Sequence, residues 1–186
     1  MASDRIWTVP NILSLTRLLL AVVLFVAIER GPAVPAFWLF LVAASTDWID
    51  GWWARRFQQV SRLGRILDPL VDKVIVCGCA VLLAAAGSAI AAWMAVVIVV
   101  RELVVTAIRA EMERTGHDFS AAWSGKIKMV LQCAAIALVL AGRAWPELHL
   151  AGIAVDAAAT WAAWAAVVAT AWSGIEYIIA ARSLVR

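Results

Sequence analysis

The sequence is poor in charged residues: Asp, Glu, Lys and Arg make up only 16% of its 186 residues, whereas 65% are hydrophobic. A soluble domain of this length is about 45–50% apolar, so this composition predicts an integral membrane protein. The net charge of +3 is small, and the basic residues form short clusters between apolar runs. This pattern argues against a nucleic-acid partner and favours loops that face anionic lipid headgroups.

Short segments of alternating polarity, which are typical of transmembrane β-strands, are also lacking. The apolar runs are long and continuous, so we expect membrane-spanning helices. Cysteine is scarce, and Cys77, Cys79 and Cys133 each lie within an apolar run. They lack the ligand spacing and the histidine partners of a metal site. We therefore expect small buried side chains rather than a disulfide or a metal centre.

Six apolar stretches predict six transmembrane helices. They cover approximately Ile12–Ile28, Val34–Phe57, Asp68–Ala86, Ala89–Met112, Gly125–Ala141 and a last span within Ala151–Ile179. The last stretch exceeds the roughly 20 residues that a bilayer requires, so we expect it to tilt or to begin with a surface helix. Asn11 is a candidate N-cap of the first helix, and Gly31-Pro32 is expected to end that helix.

Lys and Arg are distributed unequally between alternate loops. Most of them lie in the N-terminus, in the connections 55–73 and 109–128 and in the C-terminus, whereas the opposite side contains only Arg30 and Arg143. The positive-inside rule therefore predicts that both termini are cytoplasmic. Without a repeat or a low-complexity tract, residues 1–186 are expected to form one domain. We predict an all-α integral membrane bundle of six transmembrane helices in the cell (inner) membrane.

One polar segment interrupts the apolar pattern with four aspartates. They are Asp47, Asp50, Asp68 and Asp72. On helices the first two, three residues apart, share a face, and so do the last two, four residues apart. Gly51 and Ala54 continue the first stripe and Gly64 begins the second, so each face combines carboxylates with small residues. Such a face lets a bulky ligand approach the backbone beside a charged centre.

Four carboxylates near a membrane interface repel one another unless they are neutralised. Two divalent cations would balance them, and two metals about 3.5–4 Å apart suit displacement at phosphorus. All-oxygen ligands favour Mg²⁺ or Mn²⁺ over Zn²⁺. The alternative is that each aspartate forms an ion pair with a nearby arginine at a solvated helix end. Asp68 is also a candidate N-cap, with Pro69 as the first helical residue.

The segment matches the pattern D-x2-D-G-x2-A-R-x8-G-x3-D-x3-D at every fixed position, from Asp47 to Asp72. It therefore resembles the signature of the CDP-alcohol phosphatidyltransferases, a family that shares the six spans and cytoplasmic termini expected here. The resemblance implies attack of an alcohol on the β-phosphorus of CDP-diacylglycerol, with release of CMP, at the cytoplasmic face. Homodimers are common in the family, so the resemblance also admits a homodimer.

The resemblance assigns roles to individual residues. The four aspartates are implied to bind two divalent cations, Mg²⁺ or Mn²⁺, and Asp72 to remove the proton of the acceptor hydroxyl. The surface implied for the cytidine diphosphate head consists of Asn11, Gly51, Ala54, Arg55 and Gly64.

Segments outside the signature bear on the acceptor. Residues 10–17 are similar to the P-N-x-L-[ST]-x-x-R opening of bacterial members. The segments beginning at Arg101 and Gly125 are similar to the R-E-x6-R-x-E and G-K-x-K-T-x-x-Q segments of phosphatidylglycerophosphate synthases, with Met129 in place of the usual Thr. The resemblance therefore implies glycerol 3-phosphate as the acceptor.

Four cations are candidates for binding the phosphate of such an acceptor. They are Arg101, Arg109, Lys126 and Lys128. The arginines lie eight residues apart on roughly one face of the fourth helix, and the lysines lie at the start of the fifth, where the helix dipole favours an anion. The positive-inside bias accounts for all four equally well.

Several alternatives stay open from the sequence. Inositol phosphate, serine and phosphatidylglycerol are other acceptors for the same chemistry. A divalent-cation transporter would also carry aspartates in its helices, although it predicts acids near the bilayer midplane and an internal repeat. We expect His117 and His149 to be solvated loop residues and the tryptophans to anchor the protein in lipid.

Overall fold

The computed structural model describes the backbone of residues 9–57, 64–114 and 123–184, and the side chains of residues 15–46, 70–112, 114 and 123–182. Within these residues six helices occur in chain order. They are α1 (Val9–Arg30), α2 (Ala33–Phe57), α3 (Gly64–Ala85), α4 (Ala92–Arg114), α5 (Trp123–Ala144) and α6 (Val155–Leu184). The prediction of a helical bundle is confirmed, and each predicted span corresponds to one helix.

The helix ends correct three details of the sequence analysis. Helix α1 begins at Val9, so Asn11 lies inside its first turn and its assignment as an N-cap is wrong. Pro10 is tolerated there because the first amide groups of a helix have no partner within the helix. Helix α3 begins at Gly64, so Asp68 is not an N-cap either. The glycine and the last two aspartates therefore recur at four-residue spacing on one continuous helix.

The third correction concerns α6, which begins at Val155 rather than with a surface helix and continues to Leu184, beyond the predicted end. A β-hairpin precedes it, with β1 (His149–Leu150) paired antiparallel to β2 (Ile153–Ala154). Ala151 and Gly152 form its turn, and both have positive φ, 50° and 82°. A two-residue turn of this kind matches the twist of paired strands. His149 lies exposed in β1.

The ends of α1 and α3 follow the predicted breaks. Helix α1 stops at Arg30, directly before Gly31-Pro32. Helix α3 ends in a turn in which the Ser88 amide donates to the Leu83 carbonyl and the Gly87 amide to the Ala84 carbonyl. Gly87 has φ 69°, a left-handed conformation that glycine adopts without the steric cost of a Cβ atom.

Packing between helices buries one apolar core. Its largest fully buried side chains include Leu24 of α1, Phe40 of α2, Leu83 of α3 and Ile136 of α5. Helix α5 packs most extensively against α6, and α1 packs against α3. At the second contact, a Cβ atom on Gly78 would overlap the ring of Phe25, so the glycine permits the close crossing.

Many apolar side chains point outward, among them Leu19, Leu103, Trp161 and Trp172, all more than 60% exposed. Among the residues with described side chains, two helical segments are long and apolar enough to cross a bilayer: Trp123–Ala144 and Val155–Arg182. A third segment, Ala33–Thr46, is apolar but shorter. These apolar segments and the outward-facing apolar side chains fit a lipid environment. The three cysteines are free thiols: Cys79 is buried, as expected, and Cys77 and Cys133 are partly buried.

Candidate active site

The four aspartates lie on two consecutive helices. Asp47 and Asp50 belong to α2, and Asp68 and Asp72 to α3. Only Asp72 has a described side chain. The side chains of the other three lie outside the described residues, as do those of the predicted cytidine diphosphate surface: Asn11, Gly51, Ala54, Arg55 and Gly64. Among the described residues no group of three or more His, Cys, Asp and Glu side chains could hold a metal.

Asp72 forms an ion pair with Arg17 of α1. The Nη1 atom of the arginine lies 2.7 Å from Oδ1 of the aspartate. The Arg17 side chain is 1% exposed, and that of Asp72 is 20% exposed. A buried guanidinium requires a partner of opposite charge, and α1 lies against α3. The sequence analysis quoted Arg17 within the N-terminal motif and gave it no role in the site.

A cavity of about 240 Å³ opens beside Asp72 between α3, α4, α5 and α6. The start of α3, the end of α4, the start of α5 and the end of α6 all lie at this end of the bundle, because consecutive helices run in opposite directions. Thus residues far apart in the sequence line one space. All four predicted acceptor cations line it: Arg101, Arg109, Lys126 and Lys128.

The cavity carries an excess of positive charge. Lys73 joins the four predicted cations, and the carboxylates of Asp72 and Glu102 are the acidic groups among the described lining residues. Among the described lining residues, cations therefore outnumber carboxylates by five to two. Because water is partly excluded, this excess acts more strongly on an anion than it would at an open surface. The cavity is therefore suited to a small anionic ligand.

Glu102 holds two of the cations. Its Oε1 atom accepts a hydrogen bond from the Lys128 ammonium group and another from Nη1 of Arg101, at 3.2 Å. All three side chains are less than 10% exposed. Burial of a lone carboxylate or ammonium group would cost on the order of several kcal/mol per ion. Lys128 and Arg101 therefore each depend on Glu102, and Glu102 depends on them, for stability in the interior. Glu102 lies in the predicted R-E segment, which could have identified it.

Helix α6 supplies Tyr177, the single tyrosine of the chain. Its ring is 3% exposed and lies 5.4 Å from Cζ of Arg101 and 5.9 Å from Cζ of Arg109. Lys126 differs from these residues, because it is exposed and its Nζ lies 5.1 Å from the ring of Trp123. The sequence analysis assigned no site residue to α6. The one sequence feature that could have indicated a site residue in this helix is its tyrosine, which lies near the end of an apolar segment.

The sequence model of the CDP-alcohol phosphatidyltransferase family matches residues 7–172. Two similar proteins are from Salmonella typhimurium (strain LT2) and Escherichia coli (strain K12), 35% and 34% identical. Each alignment covers 95% of this chain and 96% of the relative. Both relatives are named CDP-diacylglycerol–glycerol-3-phosphate 3-phosphatidyltransferase.

The family match extends well beyond the acidic motif, since it includes α1, most of α6 and the cations of α4 and α5. The resemblance predicted from residues 47–72 is therefore confirmed, and the protein is an enzyme rather than a cation transporter. The chain belongs to the CDP-alcohol phosphatidyltransferase family.

Proposed function

We propose that this enzyme transfers a phosphatidyl group from CDP-diacylglycerol to glycerol 3-phosphate, forming phosphatidylglycerophosphate and CMP. The observation that carries the acceptor assignment is the cluster of five cations around a small cavity next to Asp72. The names of the two relatives support the same substrate pair. A neutral alcohol such as inositol would leave most of these charges uncompensated, at a cost in binding energy.

Two divalent cations, Mg²⁺ or Mn²⁺, are proposed to bind Asp47, Asp50, Asp68 and Asp72. Members of the family generally depend on divalent cations, and a donor set made only of carboxylates suits these hard ions. Both pairs lie in helical backbone, at three- and four-residue spacing. When bound, the metals would supply charge stabilisation at the reacting phosphate.

Asp72 is proposed as the general base that accepts the proton of the acceptor hydroxyl. Its carboxylate lines the cationic cavity and is partly exposed there. An acceptor whose phosphate lies among the cations would thus have its hydroxyl end available to this carboxylate. The ion pair with Arg17 engages Oδ1 of this carboxylate and holds the side chain at the edge of the cavity.

The cytidine diphosphate head is proposed to lie against Asn11, Gly51, Ala54, Arg55 and Gly64. These residues belong to α1, α2 and α3, the helices that also carry the aspartates and Arg17. The acceptor cations belong to α4 and α5. The two substrates would therefore approach Asp72 from different sides, and the transferred phosphate would lie between them.

The rest of the proposal concerns the membrane. Residues 1–186 form one domain with six spans in the cell (inner) membrane, with both termini and the active site on the cytoplasmic side, and two copies can associate as a homodimer. The distribution of Lys and Arg between alternate loops supports this orientation. The site cations all lie at the basic end of the bundle.

Release of CMP by the purified protein tests the proposal directly. The full chain, with CDP-diacylglycerol and Mg²⁺ or Mn²⁺, is given glycerol 3-phosphate, inositol phosphate, serine, phosphatidylglycerol or no acceptor. We expect rapid CMP release with glycerol 3-phosphate and formation of phosphatidylglycerophosphate, detected by mass spectrometry. Faster release with inositol phosphate or serine would overturn the acceptor assignment while preserving the reaction class.

A further inference from the structure

Helix α6 makes direct contact with the acceptor cations of α4 at three residues on one of its faces. Ser173 and Tyr177 are four residues apart, one helical turn, and Gly174 lies next to the serine. Ser173 is completely buried and Tyr177 almost so. The acidic motif and the basic segments of α4 and α5 do not account for the polar and small residues at these positions of a membrane-spanning helix.

Ser173 fixes the end of the Arg101 side chain. Its Oγ accepts a hydrogen bond from Nη2 of the arginine at 2.5 Å. The other hydrogen bond of Arg101 goes to Glu102, its own neighbour in the chain. Because Glu102 belongs to the same helix as Arg101, the Ser173 hydroxyl is the group that ties the guanidinium directly to another helix by a hydrogen bond.

Gly174 leaves room for the same arginine. A Cβ atom at this position would lie 3.2 Å from Cγ of Arg101, closer than such atoms normally approach. The arginine stem therefore passes directly over the backbone of α6. With Ser173 at its tip and Gly174 beside its stem, Arg101 is held along most of its length by one turn of α6.

Tyr177 extends this contact to the second arginine. Its ring lies within 6 Å of both guanidinium groups, the range in which an aromatic face attracts a cation. Two arginines on one helix face repel each other, and an electron-rich ring near both of them offsets part of that repulsion. The ring thus keeps both guanidinium groups at the cavity without adding a negative charge that would repel an anion.

We propose that Ser173, Gly174 and Tyr177 are positioning residues of α6 that hold Arg101 and Arg109 in place for the phosphate of the acceptor. This inference rests on the proposed function. It assigns to the last helix a part in acceptor recognition, whereas the residues proposed for the donor substrate and the metals belong to α1, α2 and α3. Changes at these residues should therefore weaken the acceptor alone.

Steady-state kinetics of CMP release test this assignment, with each substrate varied in turn. Ser173→Ala and Tyr177→Leu are expected to raise KM for glycerol 3-phosphate about five- to tenfold, because each removes a contact with a cation. The KM for CDP-diacylglycerol and kcat at saturating acceptor should stay within about twofold of the wild type. Tyr177→Phe keeps the ring and should recover most of the loss.

Matched controls come from the lipid-facing side of the same helix. Trp172→Leu removes an aromatic ring that is 70% exposed, and Thr160→Ala removes an exposed hydroxyl near the other end of α6. Neither should change the KM for glycerol 3-phosphate. The melting temperature in detergent is measured for every variant, and Ser173→Ala, which removes one oxygen atom, decides the question if Tyr177→Leu does not fold.

The inference is overturned if both variants keep the wild-type KM for glycerol 3-phosphate, or if both substrates are affected equally. Failure of the proposed function gives a different result, since the wild-type protein would then release no CMP with glycerol 3-phosphate. In that case the same variants are measured with the acceptor that is active. A selective rise in its KM supports the role of α6, and an unchanged KM contradicts it.

Discussion

Arg17 of α1 and Asp72 of α3 form an ion pair of 2.7 Å across the interface of two helices, 55 residues apart in the sequence. The arginine is almost completely buried, so its charge depends on this carboxylate more than on water. Asp72 in turn belongs both to the acidic motif and to the cationic cavity. One contact therefore links the N-terminal helix to the proposed catalytic carboxylate.

Loss of either partner of this pair should destabilise the protein. Arg17→Met and Asp72→Asn each remove this ion pair, and we expect each to lower the free energy of unfolding by about 3 kcal/mol. The double variant should lose less than the sum, with a coupling of about 1–3 kcal/mol. The free energy of unfolding is measured in mixed micelles for the wild type, the two single variants and the double variant. Strictly additive effects would show that the ion pair contributes little.

Asp72→Asn should also abolish catalysis, because an amide cannot accept the proton of the acceptor hydroxyl. We expect a decrease in kcat of about 10²–10⁴-fold, measured as CMP release at saturating substrates. Glu147→Gln, which neutralises an exposed acid near the hairpin, is the matched control and should retain full activity. An Asp72→Asn protein with wild-type kcat would exclude the carboxylate as the base.

The two lysines at the start of α5 should differ in their effect on the acceptor. Lys128 is buried against Glu102, whereas Lys126 is exposed. Because solvent and salt screen an exposed charge more strongly, Lys128→Met should raise the KM for glycerol 3-phosphate about tenfold or more, and Lys126→Met about two- to threefold.

The salt dependence provides a second measurement of the same difference. The effect of Lys126→Met should fade between low salt and physiological salt, while that of Lys128→Met persists. Equal effects of the two substitutions at both salt concentrations would contradict the distinction. The melting temperature of each variant is the control, since loss of Lys128 also removes a partner of a buried carboxylate.

Removal of divalent cations should stop the reaction and lower stability. Treatment with EDTA is expected to abolish CMP release, and Mg²⁺ or Mn²⁺ should restore it. A metal that binds only the folded protein also raises its stability by mass action, about 2.7 kcal/mol at a concentration 100 times its Kd. Thermal unfolding with and without Mg²⁺ therefore measures binding independently of activity. Asp47→Asn should reduce this shift, and full activity in EDTA would contradict the metal assignment.

Much of this protein could be predicted because its chemistry is concentrated in short segments. Residues 47–72 contain the family signature within one stretch of chain, and spacing along a helix is enough to group the carboxylates. The apolar runs likewise predicted each helix, since a bilayer requires continuous hydrophobic segments. The errors lie at helix ends, at Asn11, at Asp68 and at the limits of α6, where local sequence signals compete with packing.

The sequence by itself determined the family, the helical membrane architecture and the identity of the candidate metal and acceptor residues. It could not determine that Arg17 pairs with Asp72, that Glu102 joins Lys128 to Arg101, or that α6 holds the acceptor arginines through Ser173 and Tyr177. These contacts join different helices, and no periodicity along one helix specifies which face of another it meets. Only the tertiary packing decides which side chains come into contact.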